Sequence, residues 1–352
     1  MDLNKDIRFI AEWEPVESVL IALPDETTDW DYILLEAEDQ YATLAKAITS
    51  EKINVVVLCR DADRAHEILE DCDARYLTFI TADYNDTWTR DYGPISVIRH
   101  DRLRALDFGF NGWGLKFAAD KDNLINLFLK SKHILQAEVY KNQRDFILEG
   151  GSVETDGEGT VLTTTKCLCS ENRNGGLSKE QAVDQLSRRL GAVHVLMLDY
   201  GELEGDDTDS HIDTLARLAP GNTIIFTGCR NIDDSHFEPL LKMRAQLTMF
   251  RNKEGNPFNL VEIPLPDPIY DENGERLPAT YANYLVANDV IFVPSYGQSM
   301  NDELAANTLR IAFPEHKIVK VDCRTLIRQH GSLHCATMQI PKGLLTPVIY
   351  DK

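Results

Sequence analysis

Four short segments of the chain carry side chains that are able to do nucleophilic and acid–base chemistry. They contribute one thiol, one imidazole and several carboxylates: Cys335, His211, Asp91, Glu149 and Asp213. A thiol with an imidazole partner can form a covalent adduct, and convergent carboxylates bind a cation with several N–H donors. This combination suits covalent attack on a cationic, planar carbon, for which a guanidinium group is the candidate.

His211 and Asp213 are two positions apart, at the start of a segment, 212–218, that we predict to be a strand. Side chains at i and i+2 of a strand point to the same face, so we expect both groups to enter one cavity. An exposed His–Asp pair without a function is the alternative for an isolated dipeptide. The acidic and hydroxyl residues of the preceding loop, 205–210, favour a site.

Cys335 lies in a second predicted strand, 332–340. Alternation places Cys335 on one face and His334 on the other, which makes His334 a poor base for the neighbouring thiol and His211 the better partner. A free cysteine is most often a small buried hydrophobe. To react, a thiol with a pKa of about 8.5 needs a cationic neighbour, and a guanidinium substrate would supply part of that charge.

Asp91 and Glu149 can also be explained by structural roles without any chemistry. Asp91 follows an arginine and precedes a Gly-Pro turn, so its neighbours Arg90, Gly93 and Pro94 are interpreted as scaffold. Glu149 precedes two glycines, where the backbone can closely approach another group, but an exposed glutamate at a hairpin is equally compatible with that segment. A metal site is the rival use of these residues, yet without a second histidine nearby they make a poor zinc set. We therefore expect no metal.

The bulk composition is that of an ordinary globular protein: 352 residues, 43% hydrophobic and 26% charged. The net charge of −21 argues against a nucleic-acid partner and against binding to anionic membranes. The chain starts without a secretory signal, and no stretch approaches the ~18 apolar residues of a spanning helix. We expect a cytoplasmic protein with no membrane partner.

Seven cysteines at irregular spacing predict reduced thiols rather than a disulfide framework. Cys167 and Cys169 form a close pair, but their spacing is wrong for a zinc knuckle and no second cluster completes four ligands. We interpret both as structural.

A recurring unit organises the chain: two short strands joined by a turn, then a helix, then another strand. The predicted hairpins pair 95–98 with 103–107, 151–155 with 160–165, 212–218 with 223–227, and 284–286 with 290–294. The helices predicted to follow them are 120–130, 179–190, 238–248 and 301–313. Short apolar runs at 194–198, 260–263 and 318–321 close three of the units as strands.

A fifth unit can be assembled from the two ends of the chain. We predict that the strand 332–340 pairs with 18–22, which is followed by a helix, 30–49, and a strand, 54–58. A repeat in the sixties of residues is typical of closed repeat architectures. The sequence therefore predicts an α/β fold with one domain over residues 1–352, in which five pseudo-symmetric ββαβ units form a propeller around a central active site.

Together, the motifs resemble the agmatine deiminase and bacterial-type peptidylarginine deiminase family of the guanidine-modifying pentein superfamily, over about residues 8–342. The resemblance is carried by W-T-R-D-Y-G-P (88–94), F-N-G-W-G (110–114), L-E-G-G-S (148–152), G-D-D-T-D-S-H-I-D (205–213), P-S-Y-G (294–297) and G-S-L-H-C-A-T-M-Q (331–339). The chain has Ser210 before the histidine, where the family often has Gly. It has Q-H-G-S at 329–332, where the family often has G-G-G-N. These departures leave the chemical groups intact, but the identity of the substrate stays undetermined.

The resemblance implies hydrolysis of a guanidine C–N bond with release of ammonia, without a metal or an organic cofactor. Cys335 would be the nucleophile, forming a covalent thiouronium adduct, and His211 would act first as acid and then as base. Asp91 and Asp213 would hold the guanidinium nitrogens. Glu149 would orient His211 or share in that grip.

The resemblance also assigns Trp88 and Trp113 to substrate binding, and we expect Asp207 to accept a second cation. Agmatine carries such a cation, peptidyl arginine presents a neutral backbone, and free arginine calls for a basic carboxylate clamp. Since no domain is appended, we favour the small molecule agmatine, whose conversion to N-carbamoylputrescine belongs to putrescine and polyamine biosynthesis.

Deimination of free arginine or peptidyl arginine is the alternative within the enzyme class. A non-catalytic pentein-like binding protein is disfavoured because such rings lack the thiol, imidazole and carboxylate set. An amide-cleaving cysteine hydrolase would need an oxyanion hole, which acidic side chains oppose. Assembly into a homo-oligomer is compatible with the sequence and is not specified by it.

Overall fold

The computed structural model describes residues 6–350, in which short strands alternate with helices. The strands are β1 (Ile7–Phe9), β2 (Val16–Ala22), β3 (Asn54–Cys59), β4 (Leu77–Thr81), β5 (Ile95–Arg99), β6 (Arg102–Gly109), β7 (Tyr140–Ile147), β8 (Val153–Thr155), β9 (Thr160–Thr164), β10 (His194–Leu198), β11 (Ala216–Ala219), β12 (Thr223–Gly228), β13 (Asn259–Pro264), β14 (Leu285–Ala287), β15 (Val290–Ser295), β16 (Lys317–Asp322) and β17 (Met338–Pro341).

The helices are of two kinds, α and 3₁₀. The α-helices are α1 (Leu34–Ser50), α2 (Ala62–Ile68), α3 (Thr89–Tyr92), α4 (Gly112–Leu115), α5 (Ile125–Ser131), α6 (Thr165–Leu168), α7 (Lys179–Leu190), α8 (Phe237–Met249) and α9 (Ser299–Ala312). The 3₁₀ turns are Asp31–Ile33, Ala74–Tyr76, Asp122–Leu124, Gly150–Ser152, Ile212–Thr214, Leu326–Gln329 and Pro347–Tyr350.

Five small sheets repeat one pattern within residues 6–350. Their strand orders are β17-β2-β3-β4, β1-β5-β6-β7, β10-β9-β8, β11-β12-β13 and β14-β15-β16. In each sheet an antiparallel strand pair is followed by a parallel pair. A parallel pair needs a crossover connection, which in these units contains a helix. The predicted α/β fold of five ββαβ units is confirmed.

The two ends of the chain close the ring. β17 pairs antiparallel with β2, with Met338 opposite Leu20 and Ile340 opposite Ser18. The predicted pairing is therefore confirmed, but the predicted extent of the last strand was wrong. Residues 331–337 form a turn in which Ala336 N–H donates to Ser332 O at 3.2 Å. Because these backbone groups bond within the turn, the strand ladder begins only at Met338.

The segment that follows His211 also differs from the prediction. The strand expected over 212–218 begins at Ala216, and Ile212–Thr214 forms a 3₁₀ turn. Leu215 N–H donates to Ile212 O at 3.0 Å, and Thr214 Oγ1 donates to His211 O at 2.8 Å. A hydroxyl that bonds the backbone three residues earlier favours such a turn over a strand. The i, i+2 strand argument for His211 and Asp213 was therefore wrong.

Most other predicted elements agree within a few residues, and α7 and β10 match at both ends. A capping box of Ser178 and Gln181 starts α7. Sequence inspection missed β1, β4, α2 and β7. The strand β7 (Tyr140–Ile147) is largely half-exposed and rich in charged and amide residues, so it shows no apolar run.

The core is one large apolar cluster that includes the buried strand β3 and the inner face of α1, with a smaller cluster around β12 and α8. Within the described residues, no helix has both the length and the apolar character that crossing a bilayer requires.

Gly191, at the C-terminal end of α7, offers a test of this packing. Its φ of +76° is left-handed, and a Cβ there would lie 2.1 Å from Ile7 O in β1. We expect Gly191→Ala to combine roughly 1–2 kcal/mol of backbone strain with roughly 1–3 kcal/mol of overpacking. Gly221→Ala is the matched control, because φ there is +72° and no atom lies within 4 Å of the added Cβ. Chemical denaturation measures both variants, and equal losses of stability would contradict the packing of α7 on β1.

Candidate active site

Cys335 lies in the turn before β17, where it is 7% exposed. Its Sγ accepts a hydrogen bond from Asn283 Nδ2 at 3.3 Å, and its N–H donates to Asn283 Oδ1 at 3.2 Å. Burial, and then the charges of Asp213 and Asp91, raise the pKa of the thiol well above its ordinary value. These surroundings favour the protonated thiol, which needs a cation nearby to ionise.

Asp213 lies beside this thiol, with its Oδ2 3.8 Å from Cys335 Sγ. The same oxygen accepts a hydrogen bond from His334 Nδ1 at 2.7 Å, while Oδ1 is buried and has no partner among the described residues. Burial opposes ionisation of Asp213, but the hydrogen bond and the charge of His334 hold its pKa below the ordinary value. The contact also corrects the strand argument, because His334 faces Asp213 rather than the opposite side of a sheet.

Asp91 is held by donors from two other segments. Its Oδ2 accepts from Trp113 Nε1 at 2.9 Å, and its Oδ1 accepts from Gly151 N–H at 2.9 Å. Burial raises the pKa of Asp91, although the charge of His211 opposes this shift. Trp113 has a left-handed φ of +54° within α4, a conformation that costs energy for a residue with a side chain and is frequent at functional sites.

His211 is fully buried, and neither ring nitrogen has a hydrogen-bond partner among the described residues. Its Nδ1 lies 3.7 Å from Asp91 Oδ1. Burial lowers the pKa of His211, but the charges of Asp91, Cys167 and Glu149 outweigh burial and raise it well above its ordinary value. The raised pKa favours the imidazolium form of His211, which is able to donate a proton.

Gly151 shows how tightly these groups converge. A Cβ on Gly151 would lie 2.8 Å from His211 Nδ1, 2.9 Å from Asp213 Oδ2 and 2.9 Å from Asp91 Oδ1. The backbone at this position thus forms a shared wall of the site, which only a residue without a side chain permits.

Glu149 is buried, but an arginine binds its carboxylate. Arg173 Nε donates to Glu149 Oε1 at 2.8 Å, and Arg173 Nη1 donates to Asp209 Oδ2 at 2.6 Å. Lys116 Nζ completes this chain of ion pairs by contacting Asp209 Oδ1 at 2.8 Å. Glu149 therefore lies within 4.8 Å of His211 as part of a chain of ion pairs.

Two clusters of described residues bring three metal-ligand side chains together, and both contain an arginine contact. One is Glu149 with Cys167 and His211, and the other is Glu12 with Glu154 and His334. Arg173 binds Glu149 in the first, and Arg217 binds Glu12 and Glu154 in the second. A cationic side chain already neutralises each cluster, so both are ion-pair networks in this structure.

A pocket leads from the surface to Cys335 and Asp91. Trp88, Trp113 and Phe117 are the aromatic residues of its wall. The remaining lining residues are Asp29, Asp86, Asp207, Thr208, Thr214, Gln329, His330 and Gly331. Among these described lining residues there are four aspartates and no lysine or arginine, so the pocket selects for positive charge. Each predicted substrate-binding residue, Trp88, Asp207 and Trp113, lines this pocket.

Sequence inspection missed several residues that hold the site. Asn283 and Arg173 contact site groups directly, and Glu12 contacts His334. Each lies in a loop outside the segments that drew attention. Nothing in the sequence around Arg173, which lies between two asparagines, or around Glu12 indicates a function. Their contacts become visible only in the folded ring.

Comparison with known proteins agrees with this geometry. A sequence profile of Porphyromonas-type peptidyl-arginine deiminases matches residues 8–341. A relative from Stutzerimonas stutzeri, named agmatine deiminase, is 30% identical over 352 residues and covers 94% of each chain. A C. jejuni agmatine deiminase, crystallised with substrate bound and with serine in place of a cysteine, is 40% identical with a TM-score of 0.88, over 96% of this chain and 97% of that one.

A Porphyromonas gingivalis structure, provisionally named an arginine deiminase, is 42% identical with a TM-score of 0.90, over 97% of this chain and all of the other. The profile match extends along nearly the whole chain, as the motif resemblance predicted. The chain therefore belongs to the Porphyromonas-type peptidyl-arginine deiminase family.

Proposed function

We propose that the protein is a cysteine-dependent guanidine hydrolase that converts agmatine and water to N-carbamoylputrescine and ammonia. The observation that carries this proposal is the pocket itself: Cys335 and Asp91 lie at its buried end, and its other charged lining groups are acidic apart from His330. The C. jejuni relative, which binds its substrate when a cysteine is replaced by serine, supports a cysteine in the reaction.

The proposed first step uses the charge of the substrate to activate the thiol. A guanidinium between Asp91 and Asp213 offsets the two charges that raise the pKa of Cys335, so the thiol loses its proton to solvent as the substrate binds and the thiolate forms. The unpartnered Asp213 Oδ1 is available to accept one of the guanidinium N–H groups. Substrate binding and nucleophile activation are then one event.

The thiolate attacks the guanidinium carbon, forming an S–C bond and a neutral tetrahedral adduct. The His211 imidazolium donates its proton to a terminal nitrogen, the C–N bond breaks, and ammonia leaves a cationic thiouronium. Water then attacks the same carbon while neutral His211 takes its proton. Cleavage of the S–C bond releases the urea product, and the remaining hydroxyl proton returns to the sulfur. The raised pKa of His211, caused by Asp91, Cys167 and Glu149 against the opposing effect of burial, suits it to the acid step.

The acidic lining favours agmatine over free arginine. The α-carboxylate of arginine would face Asp86 and Asp207, whereas the distal ammonium of agmatine would be attracted to them. Lys116 is a cation next to Asp207, but its ammonium already donates to Asp207 O at 2.5 Å and pairs with the Asp209 carboxylate. Peptidyl arginine presents neutral amides and would gain nothing from these charges. Deimination of peptidyl arginine is the second candidate, because the family description names it.

The proposal extends to the domain organisation, the cellular compartment and the pathway of the enzyme. We propose that residues 1–352 act as one catalytic domain, since both ends of the chain contribute strands to one sheet. All seven cysteines are unpaired, which is typical of a reducing compartment such as the cytoplasm. N-carbamoylputrescine is a precursor of putrescine, which places the activity in polyamine biosynthesis.

Replacement of the proposed nucleophile is the first test. Cys335→Ser is expected to lower ammonia release from agmatine by ~10⁴-fold or more, because a serine hydroxyl is a far weaker nucleophile without a strong base. Cys169→Ser is the matched control, since that half-buried thiol lies outside the pocket lining, and it should keep wild-type turnover. Substantial ammonia release by Cys335→Ser would rule out the mechanism.

Filling the shared wall is the second test. Gly151→Ala is expected to displace His211, Asp213 and Asp91 and to lower kcat/KM about 100-fold, the cost of roughly 1 Å of misplacement in a catalytic site. Circular dichroism and thermal unfolding establish that the ring is retained. A variant with wild-type kcat/KM would show that these groups do not converge as described.

The acidic lining predicts a pH dependence of agmatine binding. Burial raises the pKa of Asp207 to about 6, against the opposing effect of His330, and burial raises that of Asp86 to about 7. Both carboxylates therefore lose their charge as the pH falls through 7 to 6. The KM for agmatine should rise in that window by about tenfold, equivalent to one charged hydrogen bond.

Butylguanidine, which has no distal ammonium, is the matched control substrate, and its KM should not show this rise. Asp207→Asn should weaken the rise for agmatine while leaving butylguanidine unchanged. The same pH dependence for both substrates would contradict recognition of the distal cation by these aspartates.

A further inference from the structure

His334 connects the site to a buried ion network that the proposed reaction does not use. Its Nδ1 lies 2.7 Å from Asp213 Oδ2, and its Nε2 lies 2.7 Å from Glu12 Oε1. Asp213 Oδ2 can only accept, so Nδ1 carries a proton and donates it to that oxygen. Nε2 also lies 3.0 Å from Arg217 Nη2, a group that only donates, and Glu154 is the further charged side chain near this nitrogen. The imidazole thus links Asp213 in the site to the buried network of Glu12, Arg217 and Glu154 behind it.

Glu12 is itself tightly held. Its Oε2 accepts from Arg217 Nη2 at 2.6 Å and from Gln339 Nε2 at 3.0 Å, and its Oε1 accepts from Arg90 Nη1 at 3.1 Å. Although burial opposes ionisation, the charges of His334, Arg217 and Arg90 hold the pKa of Glu12 well below its ordinary value. A permanently ionised carboxylate therefore fixes the far end of the His334 ring.

The backbone of His334 is fixed as well. Its N–H donates to Asn283 Oδ1 at 2.9 Å, the same side-chain oxygen that accepts from the N–H of Cys335. The imidazole is 1% exposed, so it cannot leave this position without opening the site. Both the ring and the peptide of His334 are thus set relative to the thiol.

Asp213 shows what this rigidity achieves. One of its oxygens is engaged by His334, and the other is buried without a partner, although a buried polar atom normally has one. We propose that His334 is a positioning residue for Asp213: it fixes Oδ2 and, anchored by Glu12, keeps Oδ1 directed at the guanidinium of the substrate. This inference rests on the proposed function, since it names the partner of Oδ1 as that guanidinium.

Two substitutions test the hydrogen bond from His334 to Asp213. His334→Leu removes it, and we expect about a tenfold rise in the KM for agmatine, equivalent to one hydrogen bond to a charged group. His334→Asn keeps an N–H donor near the position of Nδ1, so its KM should stay within a few-fold of wild type. Burial raises the pKa of Asp213 and this hydrogen bond lowers it, so the acid limb of kcat/KM should move to higher pH by about one unit in His334→Leu and stay at the wild-type position in His334→Asn.

Glu154→Gln is the matched control. Glu154 binds Arg217 in the same buried network but does not contact His334 in the described hydrogen bonds. It should lower the thermal unfolding temperature and leave the pH profile of kcat/KM at the wild-type position. Loss of thermal stability in His334→Leu, with wild-type KM and a wild-type pH profile, would overturn the proposal. If His334→Leu does not fold, the same comparison is made with His334→Ala, which also lacks the donor to Asp213.

A substrate-free measurement keeps this proposal separate from the proposed function. The rate of alkylation of Cys335 by iodoacetamide, followed by mass spectrometry against pH, reports the charge near the thiol. Its midpoint should rise by about one pH unit in His334→Leu, because Asp213 then loses the donor that offsets its charge beside the thiol, and it should stay near the wild-type value in His334→Asn. Failure of the wild-type protein to hydrolyse agmatine would contradict the proposed function, whereas an unchanged alkylation midpoint would contradict the role of His334.

Discussion

Buried carboxylates at the centre of the ring are the constraint on which the rest of the structure depends. Asp91, Glu149 and Asp213 are each 4% exposed or less. An ionised group costs several kcal/mol to bury, unless donors and opposite charges compensate. The compensation comes from side chains and backbone of separate units: Trp113 and Gly151 for Asp91, Arg173 for Glu149, and His334 for Asp213. Asp213 Oδ1 is the oxygen of these three carboxylates that is buried without a partner among the described residues.

This constraint explains why the closed ring matters. Cys335 lies in the turn before the last strand, and that strand pairs with β2 near the start of the chain. Asp91, Gly151 and Asp213 come from successive intermediate units. None of these segments could hold a buried charge alone, so the site exists only when the five units are assembled. The hydrogen bond between Glu12 and His334, 322 positions apart in sequence, ties both ends of the chain into the same network.

Local signals explain what could be predicted from the sequence. The hairpin turns, the helical period of α7 and the spacing of the repeats are local, and they predicted the five units and the pairing of the chain ends. The segments beside His211 and Cys335 looked like strands because their apolar residues alternate. They form turns because side-chain and backbone groups within each segment bond one another, which periodicity does not register. Residue types and their context singled out the site residues, and the resemblance to a family supplied their roles, whereas Asn283, Arg173 and Glu12 became visible only through contacts across the ring.

Intact-protein mass spectrometry after rapid mixing with agmatine and acid quenching tests the central claim most directly. The mechanism predicts a transient species heavier than the free protein by agmatine less ammonia, with the added mass on Cys335 in the tryptic peptide 329–342. An adduct on Cys167 would contradict covalent catalysis by Cys335. So would hydrolysis of agmatine with no detectable adduct at low pH, where protonated His211 cannot serve as the base of the second step.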